Sequence, residues 1–346
     1  MMVQEQDETP KIIISGANSD LARHLIKELQ QDFQIAALAA SVPKQEFFCK
    51  NIIWRSCNPL MLWEVEHCIE EADYGIYFVQ SLHTINHLTQ ARTEDLNIIA
   101  ADNFAQTAKK NRLKKIIYIR CPVEREHKNS RNEIIQDEAE AVMRSYGIPV
   151  TTLRTDDIDE ESVSLNKVTL DLKKNLSNKR VGDKQLGTSR HEKDKISESI
   201  VNENHSVCSV QKLLLPDRKN AQWMAFYYME WLSKSLNPLI KVKQDFDNNC
   251  YIHTVFFKKP LLSFSYLKDR SKPDHALFTI SGGILAKRMP FEQGTLEFRK
   301  IPGKEECLAA IHDFIPSLPW TFYLITQAKI HLMVMKRFKK NLEKLR

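Results

Sequence analysis

The sequence has little of what marks exported, disulfide-bonded or membrane-spanning proteins. Seven of its 346 residues are cysteine, and no two of them form a CxxC pair. An odd, scattered set of thiols favours reduced cysteines over a disulfide framework. The longest apolar stretch, 317–335, is interrupted by Lys329, and the start of the chain lacks the pattern of a signal peptide. We therefore expect a soluble cytoplasmic protein.

A strong charge imbalance is also missing. Lysine and arginine number 50 against 44 acidic residues, which gives a formal net charge of +6. An excess this small can favour an anionic ligand or surface, but it predicts no nucleic-acid partner. Hydrophobic residues make up 42% of the chain, an ordinary globular value, and the length is sufficient for two domains.

Aromatic residues are missing between Tyr146 and Trp223. Within this gap, residues 159–212 consist mainly of Ser, Asn, Lys, Asp and Glu. Such a segment cannot bury enough apolar surface to order itself. The composition therefore predicts a polar, disordered linker over 159–212, which would join two separately folded units, 1–158 and 213–346.

The first unit alternates apolar, β-branched runs with helical spacing. The predicted strands are 11–15, 34–40, 51–56, 75–81, 114–120 and 148–154. The predicted helices are 21–31, 60–69, 94–111 and 131–146. This alternation predicts an α/β fold, with a doubly wound parallel sheet and helices on both of its faces.

The opening stretch "IIISGANSDLARHL" reads as a strand, a glycine turn and a helix, the arrangement that holds a dinucleotide. Later come "EEADYGIYFVQSL", "DLNIIAADNFAQTAKKNRLKKIIYI" and "SRNEIIQDEAEAVMRSYGIPVTTLR". In order and spacing these stretches resemble the atypical short-chain dehydrogenases of the NmrA-like group. The resemblance implies a Rossmann-like fold that binds NAD(P) at the carboxyl ends of its strands.

The cofactor loop departs from the GxxGxxG pattern of that family. Gly16 keeps the tight turn, whereas Ser19 and Ala22 stand in place of the second and third glycines. Asp20 lies near the helix start, where a carboxylate favours the helix dipole but repels a phosphate. The resemblance places cofactor contacts at Gly16, Asn18, Ser19, Asp20 and Leu21. The alternative is a strand–turn–helix capped by Asn18, Ser19 or Asp20 without any ligand.

The other expected cofactor contacts are altered as well. Ala39-Ala40-Ser41 occupies the place of the charge that distinguishes NADP from NAD, and Lys44 is the nearest cation. Asn58 stands where the family has an Asp beside adenine, and an amide can still bond to that base. After the fifth predicted strand, Arg120 replaces small residues near the nicotinamide, and a solvent-facing position is equally compatible with the sequence.

No catalytic group can be assigned from the sequence. Classical relatives use a Tyr followed four residues later by Lys for proton transfer, and none of the nine tyrosines here has that partner. His83 and His87 lack an accompanying carboxylate motif, so no metal site is predicted. The first interpretation is an NAD(P)-binding protein with a degenerate loop and weak or no redox catalysis. The alternatives are an NAD(P)-dependent oxidoreductase on a hydrophobic carbonyl, and an apolar-ligand-binding or scaffold protein.

The second unit is predicted to be α+β. A helix over 220–236 precedes strands over 251–257, 261–267, 276–282, 295–301 and 307–314, and a long helix runs from Pro319. Gly282-Gly283 predicts a hairpin turn. This order suggests a helix-grip arrangement whose curved sheet can enclose an apolar small molecule. The sequence from residue 276 onward also resembles an uncharacterised domain that bacteria fuse behind NmrA-like domains.

The last twelve residues, "MKRFKKNLEKLR", carry six cations against Glu343. Cations at a helix carboxyl end suit the helix dipole, which is the simpler interpretation. The other is peripheral contact of this basic helix with a membrane of anionic lipid, or with an acidic partner.

Overall fold

The computed structural model describes residues 9–42, 51–70, 72–78, 88–120, 131–154, 173–174, 206–287 and 294–345, with backbone alone at 88–90 and 131–132. Lys44, His83, His87 and most of the predicted linker lie outside the described residues.

The N-terminal elements follow the predicted alternation closely. The strands are β1 (Lys11–Ser15), β2 (Gln34–Ala39), β3 (Ile52–Ser56), β4 (Tyr74–Phe78), β5 (Leu88–Gln90), β6 (Lys115–Arg120) and β7 (Val150–Arg154). The helices are α1 (Asp20–Leu29), α2 (Leu62–Cys68), α3 (Thr93–Lys110) and α4 (Arg131–Ser145). The sequence analysis did not predict β5.

Six of these strands form one parallel sheet, sheet A, in the order β3-β2-β1-β4-β6-β7. The strand order reverses between β1 and β4, and ligands of open α/β sheets bind at such a point, outside the carboxyl ends of the strands. Side chains of α1 pack on one face of sheet A, and those of α2, α3 and α4 pack on the other. The predicted Rossmann-like fold is confirmed.

The C-terminal elements form a second sheet with helices. The strands are β8 (Val207–Leu214), β9 (Ile240–Gln244), β10 (Cys250–Thr254), β11 (Leu262–Tyr266), β12 (His275–Gly282), β13 (Thr295–Lys300) and β14 (Glu306–Phe314). The helices are α5 (Ala221–Ser235), α6 (Trp320–Ile325) and α7 (Gln327–Leu342). Sheet B has the order β5-β8-β14-β13-β12-β11-β10-β9, and only the β5–β8 pair is parallel.

Three predictions for this part need correction, and one strand was missed. The predicted linker end at 212 falls inside β8, and β9 was not predicted at all. Gly282 and Gly283 do not make a tight hairpin, because β13 begins only at Thr295. The long terminal helix is two helices that meet at Thr326, whose φ and ψ of −115° and −79° break the regular geometry.

None of the described helices is long and apolar enough to cross a membrane.

The part of sheet B formed by β8, β14, β13 and β12 is buried on both faces. One face packs against α5 and α7 through aromatic residues such as Tyr228, Phe298 and Phe338. The other face packs against α3 and α4, and there Cys208 and Leu308 belong to the same apolar cluster as the helices of the first unit. The expectation of two separately folded units is therefore wrong in one respect, because the units share a core.

Candidate functional site

The turn after β1 has the backbone that a phosphate-binding loop requires. Gly16 has a φ of 79°, in the left-handed region that favours glycine. The N–H of Ala17 donates to the carbonyl of Leu38 at 3.0 Å, which ties the turn to β2. The first residue of α1, Asp20, is exposed at the carboxyl edge of sheet A.

The Ser19 side chain caps α1. Its hydroxyl accepts the N–H of Ala22 at 3.2 Å and lies 3.3 Å from the carbonyl oxygen of Gly16, to which it donates. Ser19 therefore occupies one of the N–H groups that a helix start leaves open. The N–H groups of Asp20 and Leu21 find no acceptor within the described part of the chain. They remain available to an anion at this helix start.

The loop also contacts the segment after β2. The Asn18 side-chain amide donates to the carbonyl oxygen of Ser41 at 3.1 Å. Sequence analysis located Asn18 but had no signal for this bond, because the two residues are 23 positions apart. The bond bridges the ends of β1 and β2, over which the ribose of a dinucleotide lies in this fold class.

Asn58, after β3, is engaged within its own turn. Its side-chain oxygen accepts the N–H of Leu60 at 3.1 Å, and its backbone N–H donates to Glu64 at 2.7 Å. Asn58 thus leads into α2 as a turn former. The structure places Gly16 and Asn18 after β1 and Asn58 after β3, on either side of β2 in sheet A.

Arg120, at the end of β6, does not face solvent. Its guanidinium lies 2.7 Å from the Asp137 carboxylate and 3.4 Å from that of Glu140, both on α4. Only 8% of the Arg120 side chain is exposed. An arginine held in this way stabilises the packing of α4 on sheet A.

Several buried tyrosines have a pKa shifted away from the range that proton transfer requires. Burial raises the pKa of Tyr228 and Tyr323 to about 12 each, and burial also raises the pKa of Tyr77. The pKa of Tyr146 is raised by burial and by the neighbouring Asp102 carboxylate. A phenol that exchanges protons in catalysis needs its pKa shifted toward the working pH, which is the opposite direction.

A buried cluster of charged side chains joins α3 to sheet B. Arg299, on β13, donates to the Asp102 carboxylate on α3 and to Glu297 at 2.9 Å. Each of these three side chains is at most 5% exposed. The Tyr146 hydroxyl donates to the second Asp102 oxygen at 2.7 Å. We call these four residues and the two histidines described next the buried cluster.

Two histidines complete the cluster. Nε2 of His275 and Nε2 of His312 lie 2.7 and 3.0 Å from the two Glu297 oxygens. Burial opposes the charged form of Glu297, but Arg299 and the two histidines outweigh it and hold the pKa of Glu297 well below its usual range. Burial also lowers the pKa of His312, but its bonds to Cys208 and Glu297 raise it to about 10.

Two recesses border sheet B. One, of about 700 Å³, runs along α5 and β9 and is lined by Trp223, Phe226 and Tyr227. The other, of about 560 Å³, lies between the two units and is lined by Arg92, Asp95 and several residues of β8 and α7. Within the described ranges no three His, Cys, Asp or Glu side chains are placed to hold a metal ion.

Comparison with known proteins gives one relative over nearly the full length. No protein-family model matches the chain. The auxiliary protein GraX of Staphylococcus aureus is 24% identical to it over 332 residues, which cover 95% of this chain and 92% of GraX.

Solved structures match the N-terminal part. A Rossmann-fold NAD(P)-binding family protein from Shigella flexneri is 18% identical over 42% of this chain, with a TM-score of 0.33. Triphenylmethane reductase of Citrobacter, complexed with NADP(H), is also 18% identical over 42% of the chain, with a TM-score of 0.35. A nucleoside-diphosphate-sugar epimerase of Staphylococcus aureus is 15% identical over 42%, with a TM-score of 0.35. The chain spans 66%, 48% and 50% of these three proteins, respectively.

Proposed function

We propose that this protein binds NAD(P) at the turn after β1 without transferring hydride. The observation that carries the proposal is the Gly16 turn, which leads into a helix start with two open N–H groups at the reversal point of a parallel sheet. In this proposal Gly16 and the N–H groups of Asp20 and Leu21 hold the pyrophosphate, and Asn58 lies toward the adenosine.

The fit of the cofactor to this site is partial. Gly16 and the exposed start of α1 suit a pyrophosphate. The Asp20 carboxylate opposes it, Ser19 uses one N–H for capping, and the Asn18–Ser41 bond narrows the space for the ribose. These features support weak binding. They also support little preference for the 2′-phosphate of NADP, since the described residues 39–42 carry no charge.

Bound NAD(P) would supply a hydride donor or acceptor, but among the residues that the structure describes we identify no acid or base matched to hydride transfer. The Tyr-Lys pair is missing, the shifted tyrosine pKa values all rise, and Arg120 is paired with α4. The name of the full-length relative, an auxiliary protein, also supports a binding role. The oxidoreductase alternative receives less support, because Arg92, Asp95 and Lys212 place three charged side chains in the recess between the units, where a hydrophobic substrate would have to bind.

Calorimetric titration of NADH and NADPH into the whole chain tests this proposal. We expect both to bind with affinities that differ by less than about 100-fold, or roughly 2.7 kcal/mol. We also expect no oxidation of either cofactor when a panel of hydrophobic aldehydes and ketones is added. A difference in affinity between NADH and NADPH greater than about 100-fold would contradict our interpretation of residues 39–41. Steady oxidation of either cofactor in the presence of a carbonyl would favour the oxidoreductase alternative.

A second candidate is the binding of an apolar small molecule, which the recess on α5 favours. Trp223 and Tyr227 stack there with ring centroids 4.6 Å apart, and Phe226 lines the same recess. Pockets of this size and aromatic lining are typical of small-ligand sites. A hydrophobic dye that binds the wild type should lose affinity in Trp223→Ala, and equal binding by both would argue against the site.

A further inference from the structure

One end of sheet B concentrates the exposed apolar side chains. Strands β9, β11 and β13 begin at this end, and β10, β12 and β14 finish there, because neighbouring strands run antiparallel. We call it the basic-apolar end. Its exposed apolar residues lie just before β9, just after β10 and β12, and on α6 and the first turns of α7. They are Leu239, Val255, Phe256, Phe257, Ile284, Phe322, Ile325, Ile330 and Met333.

Backbone hydrogen bonds join these segments into one surface. The N–H of Ile284 donates to the carbonyl of Pro260 at 3.0 Å, which brings the turn after β12 against the loop after β10. The N–H of Ser317 donates to the carbonyl of Leu285 at 3.0 Å, which adds the segment leading into α6. Phe256, 73% exposed, and Phe322, 60% exposed, therefore belong to neighbouring segments although they are distant in sequence.

The charge of this end is of one sign. The described segments 236–243, 255–267, 283–287 and 315–333 contain no aspartate or glutamate. The carboxylate of Asp313, two residues before the last of these segments, is half-buried in β14. The exposed cations of these segments are Lys241, Lys243, Lys258, Lys259, Lys287 and Lys329.

We propose that the basic-apolar end docks the protein on the surface of an anionic lipid bilayer. Exposed phenylalanine and isoleucine side chains gain free energy by entering the boundary between headgroups and acyl chains. Lysines beside them attract anionic headgroups while their aliphatic stems remain on the apolar side. The loop after β10, Val255-Phe256-Phe257-Lys258-Lys259, combines both kinds of side chain within five consecutive residues.

Charge argues for a bilayer over a second copy of this chain. A two-fold dimer through this end would bring the same patch of cations face to face, with no carboxylate in the described segments to pair with them. The surface differs from the one that the sequence alone suggested. That suggestion rested on the last twelve residues, whereas the apolar part lies at the start of α7 and on the loops beside it.

Vesicle sedimentation of the full chain tests the proposal. We expect the wild type to pellet with vesicles of phosphatidylglycerol and phosphatidylcholine, but not with phosphatidylcholine alone, and less so as salt is raised. The double variants Phe256→Ser/Phe257→Ser and Lys258→Glu/Lys259→Glu should each weaken the partitioning at least tenfold. Both pairs are exposed, so folding should be preserved, and circular dichroism checks this.

Matched controls come from the opposite end of sheet B. Phe246 is fully exposed in the β9–β10 turn, and Lys268 and Lys272 are exposed between β11 and β12. Phe246→Ser and Lys268→Glu/Lys272→Glu should pellet like the wild type. The proposal is overturned if the wild type does not pellet, if pelleting needs no anionic lipid, or if test and control variants lose it equally. It is also overturned if the wild type is a dimer that Phe256→Ser/Phe257→Ser separates.

Discussion

The Asp20 carboxylate stands where the proposed ligand would carry its negative charge. It is exposed in the first turn of α1, beside the open N–H groups. A charge at a helix start contributes about 0.3–1 kcal/mol. Asp20→Asn should therefore tighten NADH binding by about two- to fivefold. The matched control is Glu28→Gln near the other end of α1, which should leave the affinity unchanged. Weaker binding by Asp20→Asn would place the phosphate elsewhere.

Sequence analysis could locate these side chains but could not determine their partners. Gly16 and Ser19 follow from the strand–turn–helix pattern, because a turn at that point requires a left-handed residue and a helix start favours a serine. The bond of Asn18 to Ser41 joins residues 23 positions apart and depends on where the loops after β1 and β2 meet in space. Such contacts leave no periodic signal in the sequence.

At the scale of elements, the bounds of α3 were predictable from the sequence but its surroundings were not. Helix spacing predicted its bounds to within one residue, but α3 lies between two sheets and buries polar residues such as Asp95 and Asp102. Polar and apolar residues alternate along β13, a pattern typical of a strand with one face toward solvent. Glu297 and Arg299 occupy that side, yet both are buried beneath α3. Their burial is possible because Arg299 forms ion pairs with Glu297 and with Asp102 on α3.

The Asp102–Arg299 pair should couple α3 strongly to sheet B. Removing one partner of a buried ion pair leaves the other charge uncompensated, which typically costs about 3–5 kcal/mol. Arg299→Met and Asp102→Asn should each lower the free energy of unfolding by about that amount, and the double variant by much less than the sum. Chemical denaturation measures all three. The exposed pair Lys110–Glu66 is the control, where Lys110→Met should cost under about 1 kcal/mol. Additive losses would show that the two charges act independently.

The buried cluster also predicts how stability depends on pH. The raised pKa of His312 contributes stability that is complete below about pH 6.5 and is lost as the pH rises to about 10. The depressed pKa of Glu297 contributes stability that is present above about pH 4.3 and is lost as the pH falls. Denaturation curves measured between about pH 4 and pH 10 should show that the free energy of unfolding falls as the solution becomes alkaline. The variant His312→Gln should not show this alkaline fall. An unchanged alkaline slope in that variant would assign the decline to other groups.

On the scale of the whole molecule, the composition that predicts two units gives no indication that they are joined. β5 belongs to the N-terminal part of the chain and pairs in sheet B, and the apolar cluster around α3 includes Cys208 and Leu308. Strand β5 has three residues, too few to show the alternation of apolar and polar side chains that predicts a strand. The apolar residues that join the units look like ordinary core positions in each unit, so the sequence carries no sign that the two cores meet.

Limited proteolysis can separate the linker prediction from the shared core. The composition of residues 159–206 predicts that trypsin cuts first between Lys173 and Lys195. The two fragments should then elute together on gel filtration under native conditions, because the Asp102–Arg299 contact and the common core still hold them. Fragments that separate would show that the interface is weak, and resistance to trypsin would contradict the predicted linker.

The account rests most directly on a dinucleotide bound at the Gly16 turn, and one calorimetric comparison addresses it. Gly16 and Gly303 both have left-handed backbones, with φ of 79° and 74°, and a side chain at Gly303 would meet no atom within 4 Å. An alanine at either position should cost about 1 kcal/mol of stability. We expect NADH to bind Gly303→Ala as it binds the wild type, and Gly16→Ala at least tenfold more weakly. No binding by the wild type, or equal binding by both variants, would contradict the account.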